Sequence, residues 1–158
     1  MNKELYNIYE LLKKCKIVGS GNLTKRNYGG TRAYTMPCGL KWDYTKNQYD
    51  STAFDRDNPN IYPILENFMN KYYPNVKYNS FQINRNFQTM PHKDSNNIGN
   101  SLIVGLGDYS NGELMIYEND EIKKIDIKYK PYIFNGSNIL HWTNNYKGDR
   151  YSFVSYYI

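Results

Sequence analysis

The 158-residue sequence holds only two cysteines, Cys15 and Cys38, and only two histidines. Two thiols are too few to staple a chain of this size, and no CxxC or Cys/His cluster offers a structural zinc site, so two reduced thiols are expected. Long apolar runs are missing as well: nothing approaches the roughly 18 consecutive apolar residues that a membrane span needs. The opening stretch, MNKELYNIYELLKK, has neither the apolar segment nor the small-residue cleavage site of a secretory signal. A soluble, intracellular protein, cytoplasmic or nuclear and without a membrane partner, is the expectation. Phosphate-cradling glycine loops are lacking too. Gly19-Ser20-Gly21 is not followed by a third correctly spaced glycine and a clear helix, which argues against dinucleotide and P-loop readings.

Asparagine (22), tyrosine (18), lysine (15) and isoleucine (14) supply 69 of the 158 residues. All four are encoded by AT-rich codons, so an AT-rich genome, such as a viral one, is the expected source. The formal net charge of +5 is unevenly spread. Residues 11 to 46 hold eight lysines and arginines against Asp43 alone, interleaved with Tyr28, Tyr34, Trp42 and Tyr44. Such a stretch can track a phosphate backbone and stack bases, so nucleic acid, DNA ahead of RNA, is the expected partner; a plain solvated face is the bland alternative.

Leu5, Ile8, Tyr9, Leu11 and Leu12 fall near helical spacing, so residues 3–14 predict an amphipathic helix that braces a sheet. From Ile17 to Asn60, glycine, tyrosine and threonine predict short strands and loops. Residues 59–73 space Ile61, Ile64, Leu65 and Phe68 helically, and Pro74 ends that helix. Beyond it the pattern changes to seven short β-rich runs: VKYNSFQINRN, SLIVGLG, GELMIYEN, EIKKIDIKY, PYIFNG, NILHWT and RYSFVSYYI. Breaks are read at Pro91, Gly105 to Gly112, Asn119-Asp120, Pro131 and Gly148, with Gly105, Gly107 and Gly112 serving turns or bulges. The length suits one domain. Residues 1–75 are read as helical and loop support with a possible substrate-binding segment, and residues 76–158 as a β sandwich or barrel.

Both histidines fall in this β-rich half, His92 in MPHKDSNN and His141 in ILHWTNN. Asp94 follows His92 by two positions, and side chains at i and i+2 of an extended segment share a face. With His141 arriving from a neighbouring strand, two imidazoles and a carboxylate can close on one ion. Such a set leaves three positions open on Fe(II) for a chelating cosubstrate and O₂. Arg150 and Ser152 then share one face of the last strand, where a guanidinium and a hydroxyl suit a carboxylate. The competing reading of Arg150 is a surface salt bridge with Asp149 or Asp108.

The order H-x-D, His, R-x-S resembles the 2-oxoglutarate and Fe(II)-dependent dioxygenases, over roughly residues 76 to 158. Within them PHKDSNNIGNSLIVGLGDYSNGELMIYEND is similar to the TET/JBP branch, which oxidises the methyl of 5-methylcytosine or thymine. Gly107, Asp108, Tyr109, Gly112, Glu113 and Leu114 match its G-D-[FY]-x-G-G-[EK]-L segment, except that Asn111 stands where glycine is usual. Gly148, Arg150, Tyr151 and Ser152 match its closing G-x-R-Y-S. The resemblance implies a mainly β, α+β fold, a double-stranded β-helix (jelly roll, cupin-like) with N-terminal supporting helices. It also implies Fe(II), 2-oxoglutarate and O₂ as cofactor and cosubstrates. His92, Asp94 and His141 become iron ligands, and Arg150 with Ser152 anchors the distal carboxylate of 2-oxoglutarate, completing the catalytic set. Asn84 or Asn86 would reach the cosubstrate's other end.

For a base substrate, which must leave its stack to react, the candidate contacts are Tyr28, Arg32, Tyr34 and Trp42, with Phe81 as a further aromatic wall. Trp142, beside His141, is read either as such a wall or as packing. Two other functions compete: the same chemistry on a protein side chain, prolyl or lysyl, and a non-catalytic jelly-roll binding module.

Overall fold

The structure is a computed structural model, and it describes residues 1–17 and 33–158. Helix α1 (Asn2–Lys14) turns Leu5, Ile8, Tyr9 and Leu12 inward. Strands β1 (Tyr34–Asp43) and β2 (Gln48–Ser51) form a hairpin, followed by α2 (Ala53–Asp57) and α3 (Ile61–Tyr72). Strands β3 (Ser80–Arg85), β4 (Ser101–Asn111), β5 (Leu114–Glu118), β6 (Glu121–Ile125), β7 (Tyr132–Phe134), β8 (Leu140–Thr143) and β9 (Tyr146–Tyr156) complete the fold. Six strands make a major sheet in the order β2-β1-β3-β9-β4-β7, and three make a minor sheet, β6-β5-β8.

The sheet pairings are antiparallel, and short links stack one sheet on the other. Asn111 and Gly112, at φ +61° and +70°, turn β4 back into β5. Asparagine is the side-chain-bearing residue that best tolerates this left-handed region, so the departure from glycine at Asn111 is conformationally mild. Residues 144–145 fold β8 under β9, and residues 86–91 carry the chain from β3 to His92, which bridges to His141 as a fourth member of the minor sheet. The minor order β6-β5-β8-His92 thus underlies β7-β4-β9-β3, leaving β1 and β2 beyond the His92 edge. This is the double-stranded β-helix.

Both long helices and all seven β runs form as expected. Three expectations need correction. The segment before Asn60 contains α2, started by Thr52 and Asp55, each side chain bonding the other's backbone N–H in a capping box. Its first strand is also long, at ten residues. Nor does the chain break from Gly105: β4 runs on to Asn111, and β9 likewise runs through Gly148. These glycines let the two strands press together, since a Cβ at Gly107 would lie 2.4 Å from the Asp149 carbonyl oxygen and one at Gly148 2.3 Å from that of Asp108.

One face of the major sheet packs Met36, Cys38, Phe81, Ile83, Leu102, Val104, Leu106, Tyr151 and Phe153 against α1 and α3. At about 1.5–3 kcal/mol per fully buried large apolar side chain, this layer is the chief source of stability. Between the sheets lies a smaller cluster of Leu114, Ile116, Ile127 and Phe134. Phe81, fully buried beneath Tyr62 and Tyr78, belongs to the helix side and so walls no pocket between the sheets, contrary to the sequence expectation. Among the described residues no helix is long and apolar enough to cross a membrane.

Candidate metal and carboxylate site

His92 and His141 stand opposite each other, each backbone N–H donating to the other's carbonyl at 3.0 Å. Cross-strand partners project side by side, and the imidazole centroids lie 4.2 Å apart. Two residues on, the Asp94 backbone N–H donates to the Gly136 carbonyl at 2.9 Å. Its carboxylate lies between the rings, Oδ1 at 3.5 Å from His92 Nε2 and Oδ2 at 3.3 Å from His141 Nε2. One donor atom from each residue falls within 4.8 Å of the others. Donors about 2.1 Å from a shared ion sit roughly 3 Å apart when mutually cis, so small side-chain adjustments suffice to load the cluster.

The tautomers also fit. His92 Nδ1 lies 2.6 Å from the Met90 carbonyl oxygen and His141 Nδ1 2.8 Å from that of Ile139. A carbonyl only accepts, so each Nδ1 carries the proton and each Nε2 keeps its lone pair for a metal. Phe134 closes edge-on over His141, with ring centroids 4.9 Å apart, and shields that side from water.

On β9, Tyr151 and Phe153 pack toward the helices, so Arg150 and Ser152 point between the sheets. Arg150 is 2% exposed. Its Nε donates to the Gly112 carbonyl at 3.2 Å, and its guanidinium lies 5.4 Å and 5.7 Å from the ring centres of Tyr109 and Tyr146. Burial lowers its pKa, with the two tyrosines opposing the shift; an arginine nonetheless keeps its proton at neutral pH. The expected alternative partner, Asp149, pairs instead with Arg85 at 3.4 Å. Glu113, which supports the Arg150 charge from further off, is held by Asn144 and Lys124. Among the described residues Arg150 is therefore a buried cation with no carboxylate in ion-pair contact.

Beside it the Tyr109 hydroxyl is buried, with the Arg150 guanidinium as its polar neighbour and no other hydrogen-bond partner among the described residues. It reaches over Gly105, where an added Cβ would lie only 2.2 Å away. Burial pushes this phenol up to about 12, against the pull of Arg150, so it remains a donor. Sequence reasoning had treated Tyr109 only as part of a motif. Its signal was its spacing: four residues after Gly105 on β4, it can fold back over that glycine.

Ser152 Oγ accepts from Asn84 Nδ2 at 3.4 Å, which places Asn84 on the inward face. Asn86 grips β9 instead, its Oδ1 accepting the Arg150 backbone N–H at 2.9 Å and its Nδ2 donating to Asp149. Tyr34 is half-buried at the start of β1, against the helix-side core. Trp42 stands further along β1 and meets Tyr49 edge-on at 5.0 Å. Tyr28 and Arg32 lie outside the described residues. Trp142, next to His141 on β8, points to the opposite, outer face of the minor sheet, where with Gln88, Pro91 and Asn144 it lines a hollow of about 410 Å³.

No family model matches the chain, and no curated protein sequence matches it. Solved structures do. The chain superposes on a 2OG-Fe(II) oxygenase family oxidoreductase from Burkholderia pseudomallei with a TM-score of 0.62 and 16% identity, covering 98% of this chain and 77% of that one. It superposes on NgTET1 in complex with 5mC DNA with a TM-score of 0.61 and 15% identity, covering 99% and 67%. For a Pseudomonas putida prolyl-4-hydroxylase the figures are 0.56, 8%, 99% and 86%. At these identities the likeness is one of fold: the chain has the double-stranded β-helix of the 2OG-Fe(II) oxygenases, and its His-Asp-His cluster could hold a metal ion.

Proposed function

We propose that the protein is an Fe(II)- and 2-oxoglutarate-dependent oxygenase that hydroxylates an unactivated C–H bond, with the 5-methyl group of thymine or 5-methylcytosine in nucleic acid as its target. The observation that carries the reading is Arg150: a buried guanidinium with no carboxylate partner among the described residues, beside the buried Tyr109 hydroxyl, in a fold that also carries a two-His-one-carboxylate cluster. An uncompensated buried cation is costly unless a ligand brings the anion. A dicarboxylate cosubstrate that reaches the metal with one end suits it.

His92 Nε2, His141 Nε2 and one Asp94 oxygen would hold the iron. When bound, iron and 2-oxoglutarate supply the oxidation: O₂ and 2-oxoglutarate are consumed, the C–H becomes C–OH, and succinate and CO₂ leave. The chain's own work is placement. Met90 and Ile139 carbonyls keep both imidazoles in the ligating tautomer. Arg150 and Tyr109 receive the distal carboxylate through charge-assisted hydrogen bonds, with Ser152 and Asn84 on the same inward face. Leu114, Ile116, Ile127 and Phe134 keep stray water from the space between the sheets.

The choice of a nucleobase is supported by the TET/JBP-like motif, the basic Tyr-rich segment and the likeness to a structure bound to 5mC DNA. The test is succinate release from 2-oxoglutarate with Fe(II) and O₂ in the presence of thymine-containing or 5-methylcytosine-containing oligonucleotides, RNA or a peptide pool. Stimulation by a DNA oligonucleotide is expected. Stimulation by the peptides alone would move the substrate to a protein side chain.

A further inference from the structure

Strand β1 pairs with β3 only as far as Gly39, opposite Ser80; from Leu40 to Asp43 its partner is β2. Ser80 lies opposite Tyr156 near the end of β9. At that same end the Ile98 backbone N–H, in the loop that follows Asp94, donates to the Tyr157 carbonyl at 2.8 Å. The free arm of the hairpin, Leu40 to Ser51, and the Asp94 loop therefore leave the sandwich together. Because β1 and β2 lie beyond the His92 edge, the arm overhangs the metal cluster's side of the opening.

This arm is aromatic and short of free negative charge. Tyr44 at its tip is 88% exposed, and Tyr49, 47% exposed, stacks edge-on with Trp42. Its two carboxylates are engaged: Asp43 accepts the backbone N–H groups of Thr45 and Lys46, and Asp50 pairs with Lys46 Nζ and the Ser51 N–H. Lys41 is exposed and, among the described residues, makes no ion pair, and Lys93 stands exposed beside Asp94. A concavity of about 510 Å³ runs along the arm to the start of α2, lined by Thr35, Lys41, Trp42 and Tyr44 together with the engaged Asp43 and Asp50. Thr35 lies opposite Asn84 across the β1–β3 ladder, so the concavity begins on the sheet face that carries Asn84 and Ser152.

We infer that the β1–β2 arm is a docking element for a single-stranded nucleic acid, which stacks a base on Tyr44 and runs its backbone past Lys41 toward the metal opening. The inference rests on the proposed nucleic-acid substrate and adds the surface that captures it. Exposed aromatics offer a π-face to any base, and a lysine beside them tracks phosphate. An extended peptide laid along the β2 edge is the competing occupant; it has no use for the tip tyrosine.

The experiment is fluorescence anisotropy of a short labelled thymidine oligonucleotide with the full chain, at two salt concentrations. Tyr44→Ala removes a side chain with almost no buried surface, so folding is not at stake. It should weaken binding roughly fivefold to a hundredfold, the value of one base stacked on an aromatic. Lys41→Gln should reduce the salt slope by about one. Tyr117→Ala, which removes an exposed tyrosine from β5 on the minor sheet, should change nothing. Unchanged binding by Tyr44→Ala, an equal loss in Tyr117→Ala, or capture of a peptide in place of the oligonucleotide would each overturn the inference. Succinate formation on the same preparation reports separately on the oxygenase reading: an oligonucleotide bound through Tyr44 without turnover would sink that reading and leave the docking arm standing.

Discussion

On β9 the residues Arg150, Tyr151, Ser152 and Phe153 alternate between two environments. Tyr151 and Phe153 go to the helix side, into a mainly apolar and aromatic layer closed by α1 and α3. Arg150 and Ser152 go to the inner side, where Asn84 donates to the Ser152 hydroxyl and the Arg150 guanidinium lies beside the Tyr109 and Tyr146 rings. The helix face is closed by apolar packing, with the Ser155 hydroxyl buried in it without a hydrogen bond among the described residues. Among the described residues the inner face leaves the buried Arg150 cation without a carboxylate in ion-pair contact, a state that an anionic ligand resolves. Strand periodicity thus interleaves stability and chemistry at single-residue spacing, so substitutions one position apart should fail in different ways.

The largest effect is expected at the metal cluster. Asp94→Ala should abolish succinate formation and weaken Mn(II) binding by more than about a hundredfold, beyond what loss of a supporting residue costs. The thermal midpoint of the metal-free protein should hardly move. Arg150→Met comes next: it should reduce 2-oxoglutarate affinity by roughly thirtyfold or more, the range for truncating one member of a buried charge pair, while leaving Mn(II) affinity intact in a metal titration. Its helix-side counterpart, Phe153→Ala, should cost about 3–5 kcal/mol in denaturant unfolding and leave the folded protein's 2-oxoglutarate affinity unchanged. If Phe153→Ala instead lost cosubstrate affinity with little change in stability, the division between the faces would be wrong. The smallest effect sharpens the inner face: Tyr109→Phe should weaken 2-oxoglutarate about tenfold, the lower end of what one hydrogen bond to a charged group is worth, as read by calorimetry.

Much of this was legible before any coordinates. Helical spacing marked α1 and α3, period-two runs marked the seven later strands, and the sequence singled out His92, Asp94 and His141, which the fold gathers into one cluster, and Arg150, which it buries between the sheets. What escaped was set by long-range contact. Gly105, Gly107 and Gly148 read as breaks, yet they lie inside strands: β4 and β9 press close at Gly107 and Gly148, and the Tyr109 side chain folds over Gly105. Thr52-x-x-Asp55 carried a capping signal that the surrounding glycine- and tyrosine-rich composition obscured. Phe81 read as an aromatic wall for the substrate because the sequence does not say which face of β3 it takes, and the fold turns it to the helix side. Tyr109 acquires its meaning only from Arg150, 41 positions away, and no local pattern reports that pairing.

The most direct measurement is calorimetric titration of 2-oxoglutarate into the protein with Mn(II) present and absent, where the inert metal permits binding without turnover. Binding that requires Mn(II) and is lost in both Asp94→Ala and Arg150→Met is the predicted result, because the cosubstrate must span the metal and the guanidinium. Equal binding with and without Mn(II), or none under either condition, would contradict the account.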